Sequence, residues 1–394
     1  MTKQELQKLS CELSAISVFR GILKKREMET FLNFLKCDGP AWEQMDRFGE
    51  FVYSLTEVNY CFSDFLSKAV YEDENAYIIN RAKGKTVAGA VEHNAKAELD
   101  LFSRLTRLKA EDLCAAIDYD GYIPAFENCS MDLQQSYHER MAEVNRYGYG
   151  IFATAGMFKV VDDVIVPVEA ADPVELDQFI GYENERQKLM DNTLALVEGR
   201  PAANALLCGD AGTGKSSTVK ACANYFYDQG VRLIELRKDQ LFSLSYVMGR
   251  IAQHPLKFII FIDDLSFNKN DDCFSMLKAA LEGSASAKAK NAVIYATSNR
   301  RHIVKETFSD RANEDDVHHS DTVQELMSLS DRFGLTIYFS RPAKKLYLDI
   351  VHELAKRNGV EMDQGQMDLK AEAFALARGS RSPRAAEHFI KSLL

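Results

Sequence analysis

The sequence predicts an α/β protein built on a parallel sheet, with a mostly helical region before the sheet and a helical segment after it. Three observations carry that expectation. Short apolar runs recur at 205–208, 231–236, 258–262, 292–296 and 335–339, with helical patterns between them. Strands alternating with helices give a parallel sheet covered on both faces. The first run leads directly into Gly209-Asp210-Ala211-Gly212-Thr213-Gly214-Lys215-Ser216, which fits the phosphate-binding loop pattern, and a helical stretch opens at Ser217. Ahead of residue 148, apolar residues keep helical spacing, as at Leu6, Leu9, Leu13 and Ile16, at Phe48, Val52 and Leu55, and at Leu101, Leu105 and Leu108.

Composition narrows the class. The 394 residues suggest two or three domains. Hydrophobic content of 46% and charged content of 27% are ordinary for a soluble globular chain. A net charge of −10 argues against a general binder of nucleic acid or anionic membrane. The cysteines at 11, 37, 61, 114, 129, 208, 222 and 273 form no C-x-x-C pair, which fits reduced, mostly buried thiols better than disulfides or zinc. The start lacks the apolar stretch of a signal peptide, and the run at 258–262 is far too short to span a bilayer. A cytoplasmic protein without a membrane partner is expected.

The aromatics between Trp42 and Tyr77 admit two readings, a stacking platform for single-stranded nucleic acid or a helix core. Core is favoured, because Glu43, Asp46, Glu50, Glu57, Asp64, Glu72, Asp73 and Glu74 in the same stretch would repel phosphates. From Tyr147-Gly148-Tyr149-Gly150 the texture changes. Two β-rich runs flank Asp162-Asp163 and predict a hairpin, and Ala170-Ala171-Asp172-Pro173 reads as a linker.

The chemistry is concentrated in the second half. In the loop, Gly209, Gly212 and Gly214 let the backbone of Asp210, Ala211 and Thr213 curl around phosphate oxygens. Lys215 adds a cation, and the hydroxyl of Ser216 is suited to Mg²⁺. Asp263 and Asp264 emerge at the C-terminal tip of a strand, where doubly wound sheets place ligands. Asp263 is expected to contact Mg²⁺ and Asp264 to polarise the attacking water. Asn299 ends the following strand, where an amide can orient that water. Arg332, just ahead of another strand, reads either as a surface partner of Asp331 or as a cation supplied to a neighbouring subunit. Ser382 and Pro383 open a C-terminal helix that aims Arg384 back toward the site.

These elements in this order resemble the AAA+ ATPase superfamily and, within it, the bacterial domain-of-unknown-function family 815. The phrases that carry the resemblance are Phe179-Ile180-Gly181-Tyr182-Glu183, the loop with Ser216-Ser217, Asp263-Asp264-Leu265-Ser266-Phe267, Tyr295 through His302, Leu329 through Leu335, and Tyr347-Leu348-Asp349-Ile350-Val351. The resemblance covers about 148–394. It implies a five-stranded ATPase domain, a helical lid, ATP with Mg²⁺, and ring or partial-ring assembly of identical subunits. In its terms Ile180 and Gly181 border the adenine, Ser217 and Ile350 add nucleotide contacts, Asn299 is the first sensor, Arg332 the arginine finger and Arg384 the second sensor. The expected domains are a helical region at 1–147, a hairpin and linker at 148–172, the nucleotide-binding domain at 173–341 and the lid at 342–394. The N-terminal region is expected to recognise a macromolecular partner, protein or protein–DNA.

Two departures matter. The usual second acid of the superfamily is Glu, and Asp264 is one methylene shorter, so slow turnover and a switch-like role form the alternative function. No aromatic pore loop follows the second strand. Tyr246-Val247-Met248-Gly249 superficially resembles one, but Leu241, Leu244, Met248 and Ile251 predict a packed helical face around it. Asn268-Lys269-Asn270-Asp271 matches a guanine-reading pattern in the wrong place. His318 and His319 with Asp315, Asp316 and Asp321 read as a solvated acidic loop. Arg300 and Arg311 are rival fingers to Arg332.

Overall fold

The computed structural model describes residues 1–168, 174–265, 276–278, 281, 289–299 and 332–394. The chain divides into two compact units, Met1–Thr154 and Ala155–Leu394.

The first unit is helical. Thr2 starts its first helix, Lys3–Ser14, with a reciprocal cap: the Thr2 hydroxyl accepts from the Glu5 N–H, and the Glu5 carboxylate accepts from the Thr2 N–H. Leu6, Leu9 and Leu13 of that helix are buried, as their spacing predicts. The core is largely aromatic. Phe31 and Phe51 lie 4.8 Å apart between centroids, and Phe126 meets Phe48, Phe51 and Phe62. Phe48, Phe51, Phe62, Phe65 and Tyr77 are buried, so the core reading holds for these five, whereas Trp42, Tyr53 and Tyr60 are exposed. One carboxylate is buried with them. Glu98 accepts from the backbone N–H groups of Ser17, Val18 and Phe19, which compensates the loss of water around it.

The second unit holds a seven-stranded sheet in the order β2-β1-β4-β5-β6-β3-β7. The strands are β1 Met157–Val161, β2 Val164–Pro167, β3 Ala205–Gly209, β4 Val231–Leu236, β5 Lys257–Ile262, β6 Ala292–Ser298 and β7 Leu335–Phe339. Every pairing is parallel except β1 with β2. The five-stranded expectation is therefore corrected. The five strands read from the apolar runs are present, and the hairpin expected as part of a connecting segment adds two more, because β1 pairs with β4. Its turn has Asp162 at φ 47° and Asp163 at φ 62°, the left-handed pair of a type I′ hairpin, which aspartate tolerates.

The central strands are buried along nearly their whole length, as a sheet covered on both faces requires. The helix face after β4 needs one correction. Leu241, Leu244, Val247 and Ile251 are the buried positions, and Met248 is only half-buried, because a 3₁₀ turn at Lys238–Ser243 shifts the phase of the helix Leu244–Ile251. Tyr246 points outward.

Tyr295 of β6 ties the sheet to the helix Glu183–Val197. Its hydroxyl lies 2.8 Å from buried Thr193 Oγ1 and accepts from half-buried Asn192 Nδ2 at 3.0 Å. Asn192 also accepts from the Ala203 N–H and donates to the Ala203 carbonyl just ahead of β3. Removing the hydroxyl deletes both of these bonds from the interior. Tyr295→Phe should lower unfolding free energy by about 1–2 kcal/mol, read as a lower urea midpoint at an unchanged m-value.

The helices Lys344–Arg357, Gln364–Ala377 and Pro383–Lys391 share a separate apolar cluster that includes Tyr347, Ile350, Val351, Met367 and Phe389. None of the described helices is long and apolar enough to cross a membrane. Seven cysteines are described and none is paired; Cys61, Cys114, Cys208 and Cys222 are buried, while Cys11 and Cys129 are exposed.

A phosphate loop joined to two acids and an amide

β3 lies between β6 and β7, and β6 lies beside β5. The C-terminal tips of β3, β5 and β6 are therefore neighbours, and the sequence motifs end on those tips. The loop leaves β3 at Gly209 and enters the helix Lys215–Tyr225. Gly209, Gly212 and Gly214 have φ values of 147°, 78° and 90°, which glycine alone adopts freely. A Cβ on Gly209 would stand 2.0 Å from the Phe339 carbonyl oxygen. The first N–H groups of the helix have no partners within it, and its dipole favours an anion there.

Lys215 is buried, and burial pushes the pKa of its ammonium below the ordinary value. It donates to the carbonyls of Gly209 and Asp210 at 2.9 and 2.8 Å and to Asn299 Oδ1 at 3.0 Å. The other end of that amide, Asn299 Nδ2, donates to Asp264 Oδ1 at 2.7 Å. Ser216 Oγ donates to Asp263 Oδ1 at 2.6 Å. A hydroxyl and a carboxylate side by side are hard oxygen donors of the kind Mg²⁺ prefers, so this corner fits the ion. The glycine cradle fits a phosphate chain.

Thr297 is a residue that sequence reasoning missed as a site member. Its hydroxyl donates to Asp263 Oδ1 and accepts from the Asp264 N–H at 2.9 Å. It thereby holds one acid by its carboxylate and the other by its backbone, and Asp264 sits at φ 50°. The only sequence signal is its place, a buried hydroxyl two residues before the amide, one strand over from the acids.

A cleft beside the loop brings together Gln178, Phe179, Ile180, Gly212, Thr213, Gly214, Ser217, Ile350 and Arg384. Ile180 and Ile350 thus line the same cleft. Gly181 is not among the lining residues; it has φ 76°, and its carbonyl accepts from Arg186. Burial lowers the pKa of Arg186, whose guanidinium lies 5.6 Å from the Phe179 ring. Arg357 fastens the segment by donating to the carbonyls of Asp177 and Gln178 at 3.1 and 2.9 Å.

The C-terminal helix meets the loop directly. Ser382 caps it by accepting from the Ala385 N–H, and the Arg384 N–H donates to the Gly212 carbonyl at 3.3 Å. The Asp210 and Ala211 side chains are exposed at the crest of the loop. Arg332 is half-buried three residues ahead of β7, the edge strand, and does not line the cleft. Arg300, Arg311, Asp331, the Asn268–Asp271 pattern and the His318-His319 group lie outside the described residues. No cluster of metal-ligating side chains of the His, Cys, Asp and Glu types is found among the described residues.

A phosphate loop on a parallel sheet, with an amide on the adjacent strand β6 and paired acids at the tip of β5 beyond it, defines a P-loop fold of the nucleotide-binding kind. The chain belongs to the family described as Protein of unknown function (DUF815), whose model matches residues 153–394. No curated protein matches it. Among solved structures, the Thermotoga maritima RuvB Holliday junction branch migration motor is 14% identical, with a TM-score of 0.34 over 56% of this chain and 72% of that one. A substituted form of the same RuvB is 17% identical, with a TM-score of 0.37 over 56% of this chain and 64% of that one.

Proposed function

We propose that the chain is a Mg²⁺-dependent ATPase that assembles with copies of itself and couples hydrolysis to remodelling or loading of a macromolecular partner. The observation that carries this is the bonded series Lys215–Asn299–Asp264 beside the Ser216–Asp263 pair. The cation, the amide and both acids converge on one loop, as in-line attack on a terminal phosphate demands.

The roles follow from chemistry. The loop N–H groups and Lys215 bind the phosphates. Asp264 accepts a proton from water, and Asn299 holds that water and Asp264 in register. Mg²⁺, held by Ser216 and Asp263, would neutralise charge on the phosphate oxygens. Ile180 and Ile350 take the adenine, Gly181 turns the chain after Ile180, and Arg384 reaches the phosphates from the helices at 342–394, which act as a lid. Arg332 serves a neighbouring subunit's site. The domain reading follows the same lines: a recognition region at 1–147, a connecting hairpin segment at 148–172 and the nucleotide-binding domain at 173–341.

A second reading, a slow switch that binds ATP and recruits a partner, is favoured by Asp264 itself. Its side chain is short, it is already engaged by Asn299, and its backbone is held left-handed. The two readings separate in steady-state phosphate release measured beside oligomer mass across protein concentration. Turnover that rises with assembly supports the motor. ATP-driven assembly with negligible turnover supports the switch, and neither response removes both.

Arg332 gives a sharper result. Arg332→Ala should reduce phosphate release roughly 1000-fold while ATP affinity stays near wild type, since a finger acts on transition-state charge. Mixing it with Asp264→Asn subunits should restore part of the rate through composite sites. No recovery at any mixing ratio assigns Arg332 a role within its own subunit.

A further inference from the structure

The helix Ala41–Ser54 carries an exposed row of large aromatics. Trp42 and Tyr53 are 72% and 64% exposed, although large aromatics are costly to leave in water. They stand 11 positions apart on one face, about 16 Å along the axis at 1.5 Å per residue. Gly49 lies between them on the same face. A glycine inside a helix costs stability relative to alanine. Among the described residues nothing lies within 4 Å of the Cβ that Gly49 lacks, and its φ is not left-handed, so no described feature requires glycine there. A backbone passing close over Gly49 does require it. Half-buried Met45 continues the apolar row on one flank.

The other flank is acidic. Asp46 lies within the row and is exposed, and Glu43 and Glu50 follow on the same side. Arg47 is paired with Glu50 at 2.9 Å, and Arg26 is drawn over the Tyr53 ring at 5.5 Å. The rim therefore repels nucleic acid, anionic lipid and a second copy of the same face.

The geometry points to a docking site for a basic amphipathic helix of a partner protein. Its small or apolar face crosses at Gly49, Trp42 and Tyr53 grip it on either side, and its Lys and Arg residues meet Asp46, Glu43 and Glu50. This deepens the proposed recognition of a partner by the N-terminal region but does not depend on ATP hydrolysis.

The test uses the full chain as bait for a displayed random library of helical 18-residue peptides, selected without nucleotide. Enriched peptides should carry a Lys/Arg face. Their Kd should weaken at least tenfold against both Gly49→Leu and Trp42→Ala, and should weaken with added salt. Trp42 is the chain's only tryptophan, so its emission should shift to the blue on binding. Trp42 is exposed and half-buried Gly49 has no described atom within 4 Å of an added Cβ, and an unlowered Tm shows that the variants are folded. Enrichment of neutral or acidic peptides, unchanged affinity in either folded variant, or no enrichment overturns the proposal. Phosphate release by the same preparation is read separately, so failure here is distinguishable from failure of the ATPase reading.

Discussion

Lys215→Met is expected to lower phosphate release to roughly a hundredth of the wild-type rate or less, while the protein stays folded. The size follows from placement. Removing one preorganised electrostatic group at developing charge costs about 10²–10³-fold, and Lys215 is the buried cation at the loop. The stability change is small because two effects oppose. Burial already disfavours the ammonium, so its loss relieves a desolvation cost. Against that, the carbonyls of Gly209 and Asp210 and the Asn299 amide oxygen lose their donor. A methionine stem keeps the packing volume. Phosphate release and a thermal melt on the same sample check both halves. A rate within about threefold of wild type, where a lost oxyanion-type donor should cost far more, removes Lys215 from the chemistry.

Gly209→Ala is expected to give the largest loss of stability among single methyl additions at the described glycines. Its φ of 147° is outside the range that side chains tolerate, and the added Cβ would meet backbone, the Phe339 carbonyl oxygen at 2.0 Å. A flexible side chain could swing aside, but a main-chain oxygen moves only if β3 and β7 separate at Gly209 and Phe339, where they pair. A cost of about 3 kcal/mol or more follows, the sum of a forbidden dihedral and a damaged ladder. Urea unfolding checks it. A loss below about 1 kcal/mol, the ordinary range for a tolerated substitution, would mean the edge strand yields freely.

The sequence reveals most where chemistry forces residue types locally. The phosphate loop is legible because three left-handed or strained positions need glycine within six residues. The buried strands are legible because a sheet covered on both faces removes alternation and leaves apolar runs. What escaped depends on distant pairing. Nothing within 157–167 says that this hairpin joins β4 some 70 residues on, so the strand count came out two short. Thr297 looks like any strand threonine until β5 is laid beside β6. Met248 and Val247 differ by one position, and only the 3₁₀ turn before them decides which faces inward. Ile180 and Ile350 lie 170 residues apart, and it took the family resemblance to single them out together.

Asn299 joins two partners that cannot exchange places. Lys215 has only hydrogens to give, and ionised Asp264 has only lone pairs to offer, so the amide can sit one way round: oxygen to the lysine, nitrogen to the aspartate. The connection is directional, like a valve. An isosteric aspartate at 299 would keep the first contact and turn the second into a clash of like charges. Exchange of that one proton-bearing nitrogen for an oxygen, as in Asn299→Asp, would therefore uncouple Asp264 from Lys215 without altering the length of the side chain.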